Sequence, residues 1–142
     1  MKETTGSLSA FFAENAERAE NVTVVISDRF KDADGKPLEW EIRPLPSSEV
    51  KNARNMCYVK DASGRRVIDE EMAAAKCIAL SVVYPDLNDP ELQASWGARN
   101  ASDLLNNMLY MNEYNKVGEV FNKLNLSSNE NFEKNVETVK NS

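Results

Sequence analysis

Two hydrophobic periodicities follow one another at the start of the chain. From residue 7 to about residue 19 the apolar positions recur at helical spacing, which predicts a short helix that packs on the core. Its apolar stripe consists of Leu8, Phe11, Phe12 and Ala16. From Val22 to Ser27 the period changes to two and β-branched residues dominate, which predicts a strand.

A turn and a second alternating segment complete a predicted β-hairpin. Residues 28–37 contain DADGKP, whose Asp and Gly residues favour tight turns. In the following LEWEIR segment every second residue is apolar, as in a strand with one buried face. We expect the core face to carry Leu38, Trp40 and Ile42, and the solvent face to carry Glu39, Glu41 and Arg43. The hairpin therefore spans residues 22–43.

The next signals are helical. A serine at position 47 or 48 is a suitable N-cap for a helix that runs to about Cys57. Residues 58–68 have an Asp/Ser/Gly centre between short apolar ends, which fits either a second hairpin or a loop. The strongest helix prediction covers residues 69–83, because Asp69 caps it and Pro85 follows it. Its CIALSVV part is apolar on nearly all sides, so we expect this helix to lie buried at the centre of the domain.

Three shorter helices are predicted towards the end of the chain. Asp89 followed by Pro90 is a start signal for a short helix that ends at Gly97. Amphipathic segments follow at residues 102–110 and 112–125. The pattern as a whole predicts an α+β fold, in which an N-terminal β-hairpin packs against a layer of helices in a small two-layer single domain.

The predicted domain covers residues 1–125, and the composition changes after it. Residues 126–142 are rich in Ser, Asn, Glu and Lys, which is typical of a flexible tail or of a marginal helix. The main apolar residues of this segment are Phe132, Val136 and Val139.

Composition and charge narrow the classes of function. The chain has 142 residues, 42% of them hydrophobic, and a formal net charge of −6, which argues against unassisted binding to nucleic acid. No run approaches the roughly 20 apolar residues of a membrane span, and the N-terminus lacks the apolar stretch of a signal peptide. We interpret Cys57 and Cys77 as reduced core thiols. The chain is therefore expected in the cytoplasm.

Catalytic patterns are missing from the sequence. Without histidine the chain lacks the usual general base and the commonest zinc ligand, and it contains no nucleophile elbow, P-loop or dinucleotide fingerprint. We therefore predict a protein that is not an enzyme and needs no cofactor. Asp32, Asp34 and Glu41 partly imitate a calcium-binding loop, but Phe30 occupies its first position and strands flank it, so a turn is the better interpretation. The pair Glu39 and Glu41 is explained as the solvated face of a strand.

Three stretches in a fixed order resemble the XkdN-like phage tail assembly chaperones. They are LSAFFAEN, SDRFKDADGKPLEWEIRPL and VVYPDLNDPELQASWGA, and a leucine-rich segment, ASDLLNNMLYMNEYNKVGEVFNKLN, follows them. The resemblance covers roughly residues 7–125. The leader at residues 1–6 and the polar C-terminal tail depart from the family pattern.

The resemblance implies a helper protein of tail assembly. Such a chaperone binds the long helical tape measure protein and keeps it soluble until the tail tube polymerises around it, with the tail tube protein as a further candidate partner. It acts in the cytoplasm of the bacterial host and is not expected in the mature virion. Self-association to a homo-oligomer stays open. The rival interpretations are a structural tail completion or connector component of the virion, and a calcium-dependent module or carboxylate enzyme.

Exposed apolar side chains on helices are what a binder of apolar helical stripes needs. The candidate partner-binding residues are Trp96, Leu104, Leu105, Met108, Leu109, Tyr110, Met111, Tyr114 and Phe121. Because helical apolar stripes usually face the interior, the alternative is that these residues form the core. For Trp96 the two options are an anchor for the partner and a plug of the domain's own core.

Overall fold

A three-stranded antiparallel sheet forms one layer of the fold. The computed structural model describes residues 7–126 of the chain. Strands β1 (Val22–Val25) and β2 (Glu39–Ile42) form the predicted hairpin, with Val24 opposite Trp40. The turn between them is closed by the Asp32 carboxylate, which accepts the backbone N–H groups of residues 34 and 36, and Gly35 has a φ of +81°. This confirms the turn interpretation of the DADGKP segment.

A second, two-stranded sheet resolves the alternative left open for residues 58–68. Strands β3 (Tyr58–Lys60) and β4 (Arg66–Ile68) pair antiparallel and form a hairpin. The Asp61 carboxylate accepts the backbone N–H groups of residues 63 and 65, and Gly64 adopts a φ of +84°, which only glycine reaches without strain.

Within residues 7–126, five α-helices form the second layer. They are α1 (Ser47–Asn55), α2 (Glu70–Ser81), α3 (Pro90–Ser95), α4 (Ala101–Met108) and α5 (Met111–Asn125). Asp69 and Asp89 cap α2 and α3 as predicted, with side-chain oxygens 3.0 and 2.9 Å from the backbone nitrogens three residues later. The serine cap predicted for α1 is wrong, because the N-cap residue is Pro46 and no side chain caps this helix.

The end of the predicted 69–83 helix is a strand. Helix α2 stops at Ser81, and residues Val82–Tyr84 form β5, which pairs with β2 so that the sheet order is β1-β2-β5. The apolar run therefore has two conformations. Its β-branched end continues as a strand because β2 offers free backbone groups there, and Arg43 N–H donates to the Ser81 carbonyl. The Tyr84–Pro85 peptide bond that follows is cis.

The predicted N-terminal helix is also wrong. Only Leu8–Phe11 form a helical turn, of the 3-10 type, and all of residues 7–21 are exposed. The stripe that was expected to pack on the core is open to solvent, with Phe11 79% exposed. Helical periodicity without tertiary packing is insufficient for a stable helix of this length.

The core lies between the first sheet and the helices. Its fully buried side chains come from both layers and from the loop before α3. They are Trp40 and Ile42 of the sheet, Leu87 of the loop, and Leu104, Leu105 and Val117 of α4 and α5. The two-layer α+β prediction is therefore confirmed.

Helix α2 contacts α1, α4 and α5 as a central element, and it buries Ala73 and Cys77. Two of its large residues nevertheless reach solvent, since Met72 is 47% and Leu80 is 39% exposed. The helix is central in its contacts without being enclosed on all sides.

Candidate functional site

Burial divides the candidate partner-binding residues into two groups. Five of them belong to the core, namely Leu104, Leu105, Met108, Leu109 and Phe121, each no more than 8% exposed. Tyr114 is half-buried and packs against the same core. The accessible candidates are Trp96, Tyr110 and Met111, which are 36%, 67% and 80% exposed. A partner that docks without opening the domain can touch Trp96, Tyr110 and Met111 but not the five core residues.

The three accessible residues lie near the C-terminal end of α4, where the chain passes into α5. The Asn107 side-chain amide donates to the Trp96 carbonyl at 2.9 Å, which places Trp96 beside the last turn of α4. Tyr110 lies two residues after the end of that helix, and Met111 is the first residue of α5. We call Trp96, Tyr110 and Met111 the corner surface.

A salt bridge from the β1–β2 loop holds the corner in place. Arg29 Nε donates to Glu113 Oε2 at 3.0 Å, and Arg29 Nη2 donates to Glu113 Oε1 at 2.5 Å. The same Nη2 donates to the Met108 carbonyl at 2.8 Å, at the C-terminal end of α4. Glu113 Oε1 in turn accepts the backbone N–H of Tyr110 at 2.9 Å. One ion pair therefore satisfies free backbone groups of two helix ends at once.

The Arg29 guanidinium also lies against two aromatic rings. Its central carbon is 4.8 Å from the ring centre of Phe30 and 4.7 Å from that of Tyr110, distances at which a cation is attracted to an aromatic face. Tyr110 is thus held by its backbone and by its ring, while most of its side chain remains exposed. Met111 is free to adapt its shape to a partner.

The environment of Glu113 favours its charged form. Its hydrogen bonds from Arg29 lower the pKa of this carboxyl to about 2, against the opposing effect of burial. Hydrogen bonds from the Ser27 hydroxyl and the Tyr110 backbone N–H contribute to this low pKa. Glu113 is therefore ionised at neutral pH and has a structural task, which explains a buried carboxylate without catalysis.

The structure also has a concave apolar feature that the sequence predictions missed. Helices α1, α2 and α5 enclose an open cavity of about 570 Å³, which we call the α1–α2–α5 groove. Its floor contains Ala73, Cys77 and Phe121, and its walls contain Val50 and Ile78. Small residues at 73, 74 and 77 of α2 are the sequence signal that could have indicated it, because they leave space between packed helices.

Residues 7–126 contain neither a candidate metal site nor a candidate membrane-spanning helix. Residues 7–126 contain no group of three or more His, Cys, Asp or Glu side chains that could hold a metal ion. Both cysteines are buried and unbonded to each other, as predicted. No helix between residues 7 and 126 is long and apolar enough to cross a membrane.

Comparison with known proteins places the chain in a family. No curated protein sequence is significantly similar to it. Among solved structures, the crystal structure of the protein YqbN is similar, with a TM-score of 0.68 and 22% sequence identity over 80% of this chain and 94% of that chain. At this identity the likeness supports the fold alone. The model of the phage XkdN-like tail assembly chaperone family matches residues 8–140. The chain therefore belongs to the XkdN-like phage tail assembly chaperone family.

Proposed function

We propose that this chaperone binds the tape measure protein of its phage and keeps it soluble while the tail tube assembles around it. The observation that supports the proposal is a set of exposed aromatic and Met side chains, with Tyr110 held by the Arg29–Glu113 pair, on a member of a tail assembly chaperone family. The tail tube protein is a further candidate partner. The proposed role requires no catalysis, and it places the protein in the bacterial cytoplasm and outside the finished virion.

The corner surface suits an apolar helical client. Trp96 and Tyr110 offer large rigid faces that lose little side-chain entropy on binding, and each also has a polar group at its edge. Met111 adds an unbranched, polarisable side chain that packs against irregular apolar surfaces. A helix with apolar residues at i, i+3 and i+4 presents a stripe that such a set can cover.

The Arg29–Glu113 pair gives the corner a fixed geometry before the client arrives. Because Tyr110 is held by a backbone hydrogen bond and by the Arg29 guanidinium, its ring does not need to be ordered on binding. Interactions that pre-order a binding surface raise affinity by lowering the entropy lost in the complex. We therefore assign Arg29 and Glu113 to positioning and the corner residues to contact.

Coexpression of this protein with the tape measure protein of the same phage tests the proposal. The tape measure protein should be mostly insoluble alone and soluble in the presence of the chaperone, and the two should purify together. Solubility that is unchanged by coexpression would contradict the proposal.

The rival role as a virion component makes the opposite prediction about mature particles. Mass spectrometry of purified virions should find this protein absent or far below the amount of the tail proteins. Recovery in a fixed ratio to a tail protein would instead indicate a connector or completion protein.

A further inference from the structure

The α1–α2–α5 groove is an apolar surface next to the point where the described chain ends. Leu126 follows the last turn of α5, is 67% exposed and lines the mouth of the groove. Val50 of α1 and Leu45 also line the groove, and the Leu45 N–H donates to the Asn125 side chain at the end of α5. A cavity of about 570 Å³ with this lining is large enough for several apolar side chains.

Small side chains on α2 explain why the groove is open. Ala73, Ala74 and Cys77 occupy neighbouring positions on one face of the helix, and none of them fills the space between α1 and α5. Phe121 of α5 forms part of the floor at 5% exposure. The groove therefore accepts larger side chains without any change of the surrounding helices.

The sequence after Leu126 carries a matching apolar stripe. Phe132, Val136 and Val139 are spaced at i, i+4 and i+7, which is one face of a helix, and the residues between them are polar. The family match reaches residue 140, so it includes this stripe. The family match therefore extends beyond α5 and covers most of residues 127–142.

We propose that residues 127–142 of the same chain occupy the α1–α2–α5 groove, with Phe132, Val136 and Val139 as the buried contacts. Phe132 follows Leu126 by six positions, and these six steps span up to about 20 Å when extended, which is enough to return to the floor of the groove. The segment covers Leu126 and the apolar walls, and it keeps other apolar segments out of the groove.

Charge supports this occupant. The charged residues that line the groove are Lys51, Arg54 and Glu70, and Arg54 pairs with Glu70 at 2.6 Å, so the lining has a net charge of +1. Residues 127–142 contain three Glu and two Lys, a net charge of −1. The docked arrangement therefore brings opposite net charges together.

Nuclear Overhauser effects (NOEs) in the full chain test the proposal directly. The Phe132 ring protons and the Val136 methyl groups should show contacts to the Ala74 methyl group and to the methyl groups of Val50. A mixture of isotopically labelled and unlabelled protein separates contacts within one chain from those between copies. Absence of these contacts, or contacts between copies only, overturns the proposal.

A pair of variants gives an independent readout. Val136→Asp places a charge in the apolar stripe, whereas Thr138→Asp adds the same charge on the opposite side of the predicted helix. Hydrogen exchange of α1 and α2 amides next to the groove should become faster in Val136→Asp and stay unchanged in Thr138→Asp. Equal exchange in both variants would overturn the proposal.

Alkylation of Cys77 serves as a second measurement on the same variants, with peptides separated by mass. Cys77 lines the groove and Cys57 does not, although both are buried. Val136→Asp should raise the labelling rate of Cys77 by about tenfold, the effect of losing one buried aliphatic side chain, and leave Cys57 unchanged. An equal rise at both cysteines would indicate general unfolding and would contradict a specific cover.

Discussion

Arg29 and Glu113 are 84 positions apart in the sequence and form a two-pronged salt bridge. Arg29 belongs to the loop of the first hairpin, and Glu113 belongs to the first turn of α5. Through the Met108 carbonyl and the Tyr110 N–H, the pair also ties α4 to α5. The ion pair therefore adds a polar connection between the hairpin and the α4–α5 junction to the hydrophobic core that they share.

Replacing Arg29 by Lys should destabilise the protein although the charge is kept. Lysine has a single side-chain nitrogen and cannot reproduce the planar, two-pronged contact that Nε and Nη2 of Arg29 make with the Glu113 carboxylate. We expect the free energy of unfolding to fall by about 1–2 kcal/mol in urea titration. Arg99→Lys is the matched control, because the Arg99–Asp103 pair is 3.5 Å long with the Arg99 side chain 90% exposed. Unfolding of both variants at the same urea concentration would contradict a special role for the Arg29 guanidinium.

The Glu113 carboxyl predicts a specific loss of stability in acid. Its pKa is about 2 in the folded protein, against an ordinary glutamate value of 4.5 in the unfolded chain, so its stabilising effect is complete above about pH 4.5 and is lost as the pH falls towards 2. The difference in unfolding free energy between wild type and Glu113→Gln should therefore narrow over this range. Urea titrations of both proteins from pH 2 to pH 6 measure it. A difference that does not change with pH would exclude Glu113 as a titrating stabiliser.

The Asp69 cap of α2 can be separated from its charge by two substitutions. Asp69→Ala removes the oxygen that accepts the Met72 N–H and should cost about 1 kcal/mol, a melting temperature drop of a few degrees. Asp69→Asn keeps an accepting oxygen and should lose much less. Thermal unfolding followed by circular dichroism compares the two, and equal losses would mean that charge rather than capping stabilises this helix.

The parts of the fold that follow from local chemistry were predictable from the sequence. The turn at Gly35, the alternation around Trp40 and the aspartate caps of α2 and α3 each depend on residues within a few positions. Strand β5 was not predictable in this way. Its residues look like the end of a helix, and they become a strand because β2, about 40 positions earlier, offers them hydrogen bonds.

The site shows the same limit of sequence reasoning. The apolar stripes of α4 and α5 were visible, but a stripe does not tell which of its residues face the core and which face solvent. Leu105 and Tyr110 both lie in the predicted set, yet the first is fully buried and the second is 67% exposed. The Arg29–Glu113 pair and the α1–α2–α5 groove depend on contacts between segments that are distant in the sequence. No local sequence pattern predicts such contacts.

Binding of the tape measure protein by wild type, Met111→Asp and Asn52→Asp tests the central claim most directly. Both substituted residues are exposed on helices, Met111 on α5 and Asn52 on α1, and both changes add one negative charge, but only Met111 belongs to the corner surface. Met111→Asp should weaken binding by about tenfold or more without lowering the melting temperature, and Asn52→Asp should bind like wild type. Wild-type protein that does not bind the tape measure protein would contradict the proposed function, and equal binding by all three would contradict the corner surface as its site.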